Sequence, residues 1–272
     1  MDWLLDPLSA GFFLRALAGG ALAAAVCALV GTWVVARGMA FLGEALAHGM
    51  LPGVAVAGLI GAPVVAGAAV SAVVMSLGVG ALARRARLSH DTSIGILFVG
   101  MLALGVAIVS HSRSFAVDLT AILFGDVLAV RAPELILLAV GLAITVVVTV
   151  LGHRAFVALS FDPRVAQTLG FRPRVANLVL IGLVTLAVVV SYQAIGTLLV
   201  VGLLLAPPAA ARMWASTLPS AMLLAVILGT ASTVVGLYLS WHLGTAAGAT
   251  IAGVAVALFA LSVLTRSRAV AS

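Results

Sequence analysis

The sequence predicts an all-α, polytopic membrane protein of about nine transmembrane helices, and three observations carry that prediction. Apolar residues make up 64% of the 272 and charged residues only 8%, against about a quarter charged in soluble domains. Several uncharged runs reach the roughly 20 helical residues that cross a hydrocarbon core about 30 Å thick. The runs are continuous, whereas a transmembrane β-barrel would alternate apolar and polar residues in segments of about ten. Helices satisfy their own backbone groups, so they are the form such runs take in lipid.

The first span is read at 16 to 36, between Arg15 and Arg37. The preceding "MDWLLDPLSAG" lacks the basic stretch of a cleavable signal, so this span is expected in the mature protein. Cys27, the one cysteine, lies within it and excludes an intramolecular disulfide. The second span, 39 to 61, carries the polar stretch "FLGEALAHGMLPG". Spans three and four are read at 63 to 83 and 94 to 110, joined by the basic connection "ARRARLSHDTSIG".

Residues 114 to 130, "SFAVDLTAILFGDVLAV", are read as a short outer helix or re-entrant segment, although 17 residues would also make a tenth span. The fifth span, 132 to 152, is followed by a long basic connection, 153 to 174. The sixth and seventh, 175 to 195 and 196 to 214, adjoin without a clear boundary. The double proline of "APPAAAR" is expected to bend or end the seventh, because two consecutive donors are missing. Spans at 219 to 241 and 245 to 264 complete a single transmembrane domain, 1 to 272, whose count lies between eight and ten.

Arginine sets the orientation, since the chain has no lysine. With the N-terminus outside and the C-terminus cytoplasmic, eleven arginines face the cytoplasm, and Arg15, Arg113 and Arg131 lie outside. That is the asymmetry of the positive-inside rule. The net charge of +6 therefore calls for no nucleic-acid partner. The missing lysine also excludes a Walker-type ATPase site, which needs one to hold the β and γ phosphates. If ATP drives this protein, another polypeptide hydrolyses it.

Glu44 and His48 are four residues apart, so on a helix they lie one above the other on one face. Pro52 has no N–H for the His48 carbonyl and frees an oxygen beside the imidazole. Gly49 and Gly53 flank this break and offer a small-xxx-small face to a neighbouring helix. Ionisable residues inside a membrane are costly, and their default reading is functional. A divalent-cation site or gate fits, and imidazole with carboxylate suits Zn, Mn or Fe(II). The alternative is structural: Arg37, seven residues before Glu44, could pair with it while His48 bonds a carbonyl.

Within 153 to 174, "SFDPRVAQTLGF" has Asp162 as N-cap, Pro163 at the first helical position and Gly170 just past the end. A helix of about seven residues is too short to stand alone. By its residues it is either a surface connector or an element held by a partner. Asp118 and Asp126 could attract cations or be solvated loop charges. His111 and His242, near outer span ends, stay outside the primary site, and Met39, Met50, Met75 and Met101 read as packing residues.

The stretch "RGMAFLGEALAHGMLPGVAVAG" resembles the signature segment of the membrane permeases of ABC importers for zinc and manganese ions. Further matches follow in order: "DTSIGILF" at 91 to 98, "LFGDVLAV" at 123 to 130, "FDPRVAQTLGF" at 161 to 171 and "GTLLVVGLLLAPPAAAR" at 196 to 212. The resemblance implies that Glu44 and His48 face a metal pathway, with Glu where the family more often has Asp. Arg37, Gly49, Pro52 and Gly53 would support that pathway. It also implies that 162 to 170 is a coupling helix docking into a cytoplasmic ABC ATPase. There Val165, Ala166 and Leu169 would make apolar contacts, Arg164 and Gln167 polar ones, and Asp162, Pro163 and Gly170 the frame.

The resemblance further implies a multi-pass permease of the bacterial inner membrane, working as a homodimer with two ATPase subunits and an extracytoplasmic metal-binding protein. No permanently bound cofactor is expected, with Zn²⁺ favoured over Mn²⁺ as cargo. Two other classes compete. A secondary metal carrier driven by an ion gradient would also use broken helices near the midplane. The coupling-loop match, and the lack of further buried acids for proton coupling, count against it. An intramembrane zinc protease would need H-E-x-x-H, and "EALAH" has one histidine and no base left over.

Overall fold

A computed structural model describes residues 7–86, 89–111 and 127–271. Among these the chain is helical nearly throughout and has no strand. The helices are α1 Gly11–Ala36, α2 Ala40–Gly49, α3 Leu51–Ile60, α4 Val64–Arg85, α5 His90–His111, α6 Ala132–Phe161, α7 Pro163–Thr168, α8 Pro173–Ile195, α9 Thr197–Trp214, α10 Leu218–Leu243 and α11 Ala247–Ala271. Among the described residues nine stretches are long and apolar enough to cross a membrane, with α2 and α3 together forming one of them, Ala40–Ile60.

Every expected span falls on one of these stretches, most with ends shifted by a few residues. α6 departs furthest. It continues to Phe161, so the connection expected from His153 begins at Asp162 instead. Asp118, Asp126 and most of the candidate tenth span lie outside the described residues; its end, Val127–Ala129, is a 3₁₀ turn packed on α1.

α1 is the hub. Gly19, Gly20, Ala23, Ala24, Ala28 and Gly31 give it a buried surface of small residues, and α6, α8, α9 and α10 pack around it. Lipid is as apolar as leucine, so such close backbone approach, rather than hydrophobic exclusion, holds membrane helices together. A Cβ on Gly31 would collide with the carbonyl oxygen of Leu204 and with the ring of Pro208. Leu204 is the residue whose carbonyl Pro208 would serve if it had an N–H. The close contact with α1 thus covers a defect in α9, and α9 continues unbroken to Trp214 with both prolines in its interior. Of the bend or end expected at this motif, the end does not occur.

Edge-on aromatic packing pins the hub at both ends. Trp33 meets Phe156 of α6 at 5.4 Å, and Phe13 meets Tyr238 of α10 at 5.4 Å. Helices α2 to α5 pack on one another as a second group, and α8 touches both groups. There the hydroxyls of Ser76 on α4 and Thr185 on α8 lie 2.9 Å apart. The boundary between α8 and α9, unreadable from hydropathy, is the single residue Gly196 at φ 76 and ψ 163. That backbone region is essentially restricted to glycine.

Candidate metal pathway

The second span is two short helices because its middle cannot sustain one. α2 ends at Gly49, Met50 donates its N–H to the Leu46 carbonyl at 3.2 Å, and α3 starts at Leu51 with Pro52 in its first turn. The carbonyl of Gly49 is taken by the buried Ser71 hydroxyl of α4, at 2.8 Å. A Cβ on Gly53 would collide with the carbonyl oxygen of Gly67, and one on Gly49 with the Met75 sulfur. The small face anticipated at Gly49 and Gly53 is therefore where α4 comes closest. On another side, Gly105 of α5 sits against Leu51 and Pro52. Irregular backbone at membrane depth is here buried within protein, as lipid requires.

Glu44 and His48 lie on α2, one turn apart on the same face. The Glu44 side chain is exposed on the surface of the chain, and His48 is partly buried. Among the described residues Glu44 has no hydrogen bond or ion pair. The His48 ring stands edge-on to Phe98 of α5 at 5.7 Å, and Phe98 also packs against Phe41 at 5.8 Å. One carboxylate and one imidazole project from one patch beside an aromatic ring.

Arg37 does not join them. It caps α1, before the turn that precedes α2, so the seven-residue spacing to Glu44 is not carried by one helix. Its guanidinium donates to Asn177 Oδ1 of α8 at 2.9 Å. Half-burial lowers its pKa from the ordinary arginine value, from a level so high that it stays protonated. The structural pairing of Arg37 with Glu44 is not formed. The helical run being interrupted, His48 lies eight residues, about 12 Å, along α2 from Ala40.

Beyond the C-terminal end of α6, the short helix α7 is six residues long. Asp162 Oδ1 accepts the Arg164 N–H at 2.7 Å, and Gly170 at φ 80 donates its N–H to the Gln167 carbonyl at 3.0 Å. Val165 and Leu169 are exposed, and Arg164 and Gln167 point to solvent with them. Ala166 differs from its expected place among the contacts: it is fully buried, tucked beneath the helix. Phe161, which the motif did not single out, is 83% exposed beside α7.

Among the described residues no three of His, Cys, Asp and Glu come together. His242 sits in the last turn of α10 and His111 ends α5. Phe98, Ser71 and Asn177 escaped the sequence reading. Phe98 closes the "DTSIGILF" motif, which was a usable signal; Ser71 and Asn177 are ordinary polar residues whose partners only the fold reveals.

A model of the ABC 3 transport family matches residues 9–266. The chain belongs to the ABC 3 transport family. It is 36% identical over 256 residues to the manganese transport system membrane protein MntC of Halalkalibacterium halodurans, covering 94% of this chain and 87% of that one. It is 35% identical over 261 residues to a protein of Haemophilus influenzae described as a probable iron transport system membrane protein, covering 96% of each. Its fold matches the solved structure of PsaBC from Streptococcus pneumoniae in complex with Fab at a TM-score of 0.86, with 29% identity and coverage of 96% and 94%. An ABC 3 chain of this kind is a multi-pass membrane transport subunit, and ATP hydrolysis lies in a partner subunit. The permease resemblance drawn from the motifs and the family found by comparison coincide.

Proposed function

We propose that this chain is the permease of an ATP-driven importer in the bacterial inner membrane, and that two copies bring Glu44 and His48 together to pass a divalent transition-metal ion. The observation that carries this reading is the exposure of Glu44. An ionisable side chain in a membrane span faces a polar cavity or a partner, because lipid contact is too costly. Among the described residues nothing covers it. A second copy related by a two-fold axis would present the same patch to itself. Two carboxylates and two imidazoles would then surround one point.

Such a donor set can hold an ion in transit without thiolates. Manganese is the leading cargo in this reading. The relatives above carry manganese and iron in their names, and two carboxylates add the hard oxygen donors that suit Mn²⁺. Zinc, favoured from the motifs, finds no support there. The ion is cargo rather than a resident cofactor, and an extracytoplasmic binding protein would deliver it.

With the N-terminus outside, α7 lies on the cytoplasmic side. The exposed Val165 and Leu169, and Phe161 with them, form an apolar knob for the ATPase, flanked by Arg164 and Gln167. Asp162, Pro163 and Gly170 fix its shape. ATP-dependent uptake of Mn²⁺, Fe²⁺ and Zn²⁺ into proteoliposomes holding the whole complex tests the reading. Mn²⁺ uptake that is lost in His48→Ala, with ATPase subunits still bound, is expected. Undiminished uptake in both Glu44→Ala and His48→Ala would sink the pathway.

A further inference from the structure

We infer that a groove between α6 and α8 binds an anionic phospholipid, its phosphate on Arg172 and one acyl chain lying along the helices. The groove is a cavity of about 360 Å³. Val148 and Ala155 of α6 and Val175 and Val179 of α8 form its walls, and Phe156, 2% exposed and braced by Trp33, its floor. From Val148 to Phe156 it follows α6 for about 12 Å. Arg172, the N-cap of α8, is the one charged residue in the lining. It is exposed, and among the described residues no carboxylate pairs with it.

The two parts do different work. Acyl chains are as apolar in the bilayer as in the groove, so the walls confer position and little preference. Preference must come from the headgroup. A guanidinium is a planar fork that fits phosphate oxygens in pairs and is more weakly hydrated than an ammonium. Clefts between membrane helices that carry basic residues at the headgroup level take anionic lipids on this basis. Arg154 and Arg174, exposed on the neighbouring turns of α6 and α8, raise the positive potential at the same end. No acid lines the groove to repel an anion.

The site has a mechanical consequence. α6 and α8 are the helices on which α7 rests, so a lipid wedged between them bears on the position of that short helix. The inference rests only on α6 and α8 crossing a membrane. It stands or falls independently of the cargo and of Glu44 and His48.

Native mass spectrometry of the purified complex from micelles holding equal phosphatidylglycerol and phosphatidylcholine would test it. The native protein is expected to retain phosphatidylglycerol preferentially. Arg172→Gln should reduce that preference about fivefold, the size of one arginine at a lipid surface. Arg266→Gln, which removes an exposed arginine from α11, should leave it unchanged. Ala155→Leu should fill the groove and reduce retention with Arg172 still present. Equal retention in native and Arg172→Gln protein, an equal drop in Arg266→Gln, or full retention in Ala155→Leu would each overturn the proposal.

Discussion

Proline interrupts helical bonding in two places, with opposite results. At Pro52, whose missing N–H would serve the His48 carbonyl, the second span divides into two helices, and the adjacent Gly49 carbonyl accepts from the Ser71 hydroxyl. At Pro207 and Pro208 α9 runs on, and the Leu204 carbonyl, which Pro208 cannot serve, is covered by α1 at Gly31. Two prolines thus break less than one. Glycines of neighbouring helices pack closely at both sites, Gly31 at Leu204 and Gly67 and Gly105 around Gly53 and Pro52, and what separates them is the Ser71 hydroxyl bonded across helices to Gly49 at the divided span. A missing donor is therefore no signature of a pathway. The ionisable pair on an exposed face, present only beside Pro52, is the distinguishing feature.

The comparison breaks most readily at the pair itself. Glu44→Ala or His48→Ala should reduce metal uptake by at least the 10- to 100-fold that losing even an outer-shell partner of a metal site costs. Proteoliposome uptake alongside co-purification of the ATPase checks this. A fall in assembly rather than uptake would move both residues into the structural class.

Next in size are the two close approaches. Gly31→Val and Gly53→Val each force a side chain into a neighbouring carbonyl, and overpacking of this kind costs about 1–3 kcal/mol or more. Thermal unfolding of the detergent-solubilised protein should show both as strongly destabilised. A tolerated Gly31→Val would mean that α1 does not cover the α9 defect. Gly196→Ala, in the glycine-only conformation between α8 and α9, should cost about 1–3 kcal/mol by strain alone, and the same assay reads it.

The smallest effects sharpen the contrast. Ser71→Ala leaves the Gly49 carbonyl unbonded and should cost about 0.6 kcal/mol, the average for side-chain bonds between membrane helices. Pro208→Ala restores a donor to Leu204 and should change uptake little, whereas Pro52→Ala rejoins the helix beside His48 and should lower it. Paired uptake and thermal-shift measurements separate these outcomes. Equal uptake in the two proline variants would remove the functional distinction between the breaks.

Much of the fold was legible, because long apolar runs leave lipid only one backbone solution. The expected spans and the break at Pro52 follow from local chemistry, as do the Asp162 cap and the Gly170 stop. Three features were not legible for one physical reason: they depend on what lies across the bundle. The continuity of α9 depends on Gly31, 177 positions before Pro208. The site of Arg37 depends on Asn177, and the burial of Ala166 on how α7 seats against α6 and α8. The patch of Glu44 and His48 was half legible. The spacing of Glu44 and His48 placed them on one face, but only the structure leaves Glu44 uncovered and sets Phe98 against His48.

The central claim, that two copies share one site, is tested most directly by counting Mn²⁺ bound to the purified complex and recording its electron paramagnetic resonance. One ion per two permease chains, with nitrogen coupling from two imidazoles and loss of the ion in His48→Ala, is the predicted result. One ion per chain, or an ion unaffected by His48→Ala, would contradict it.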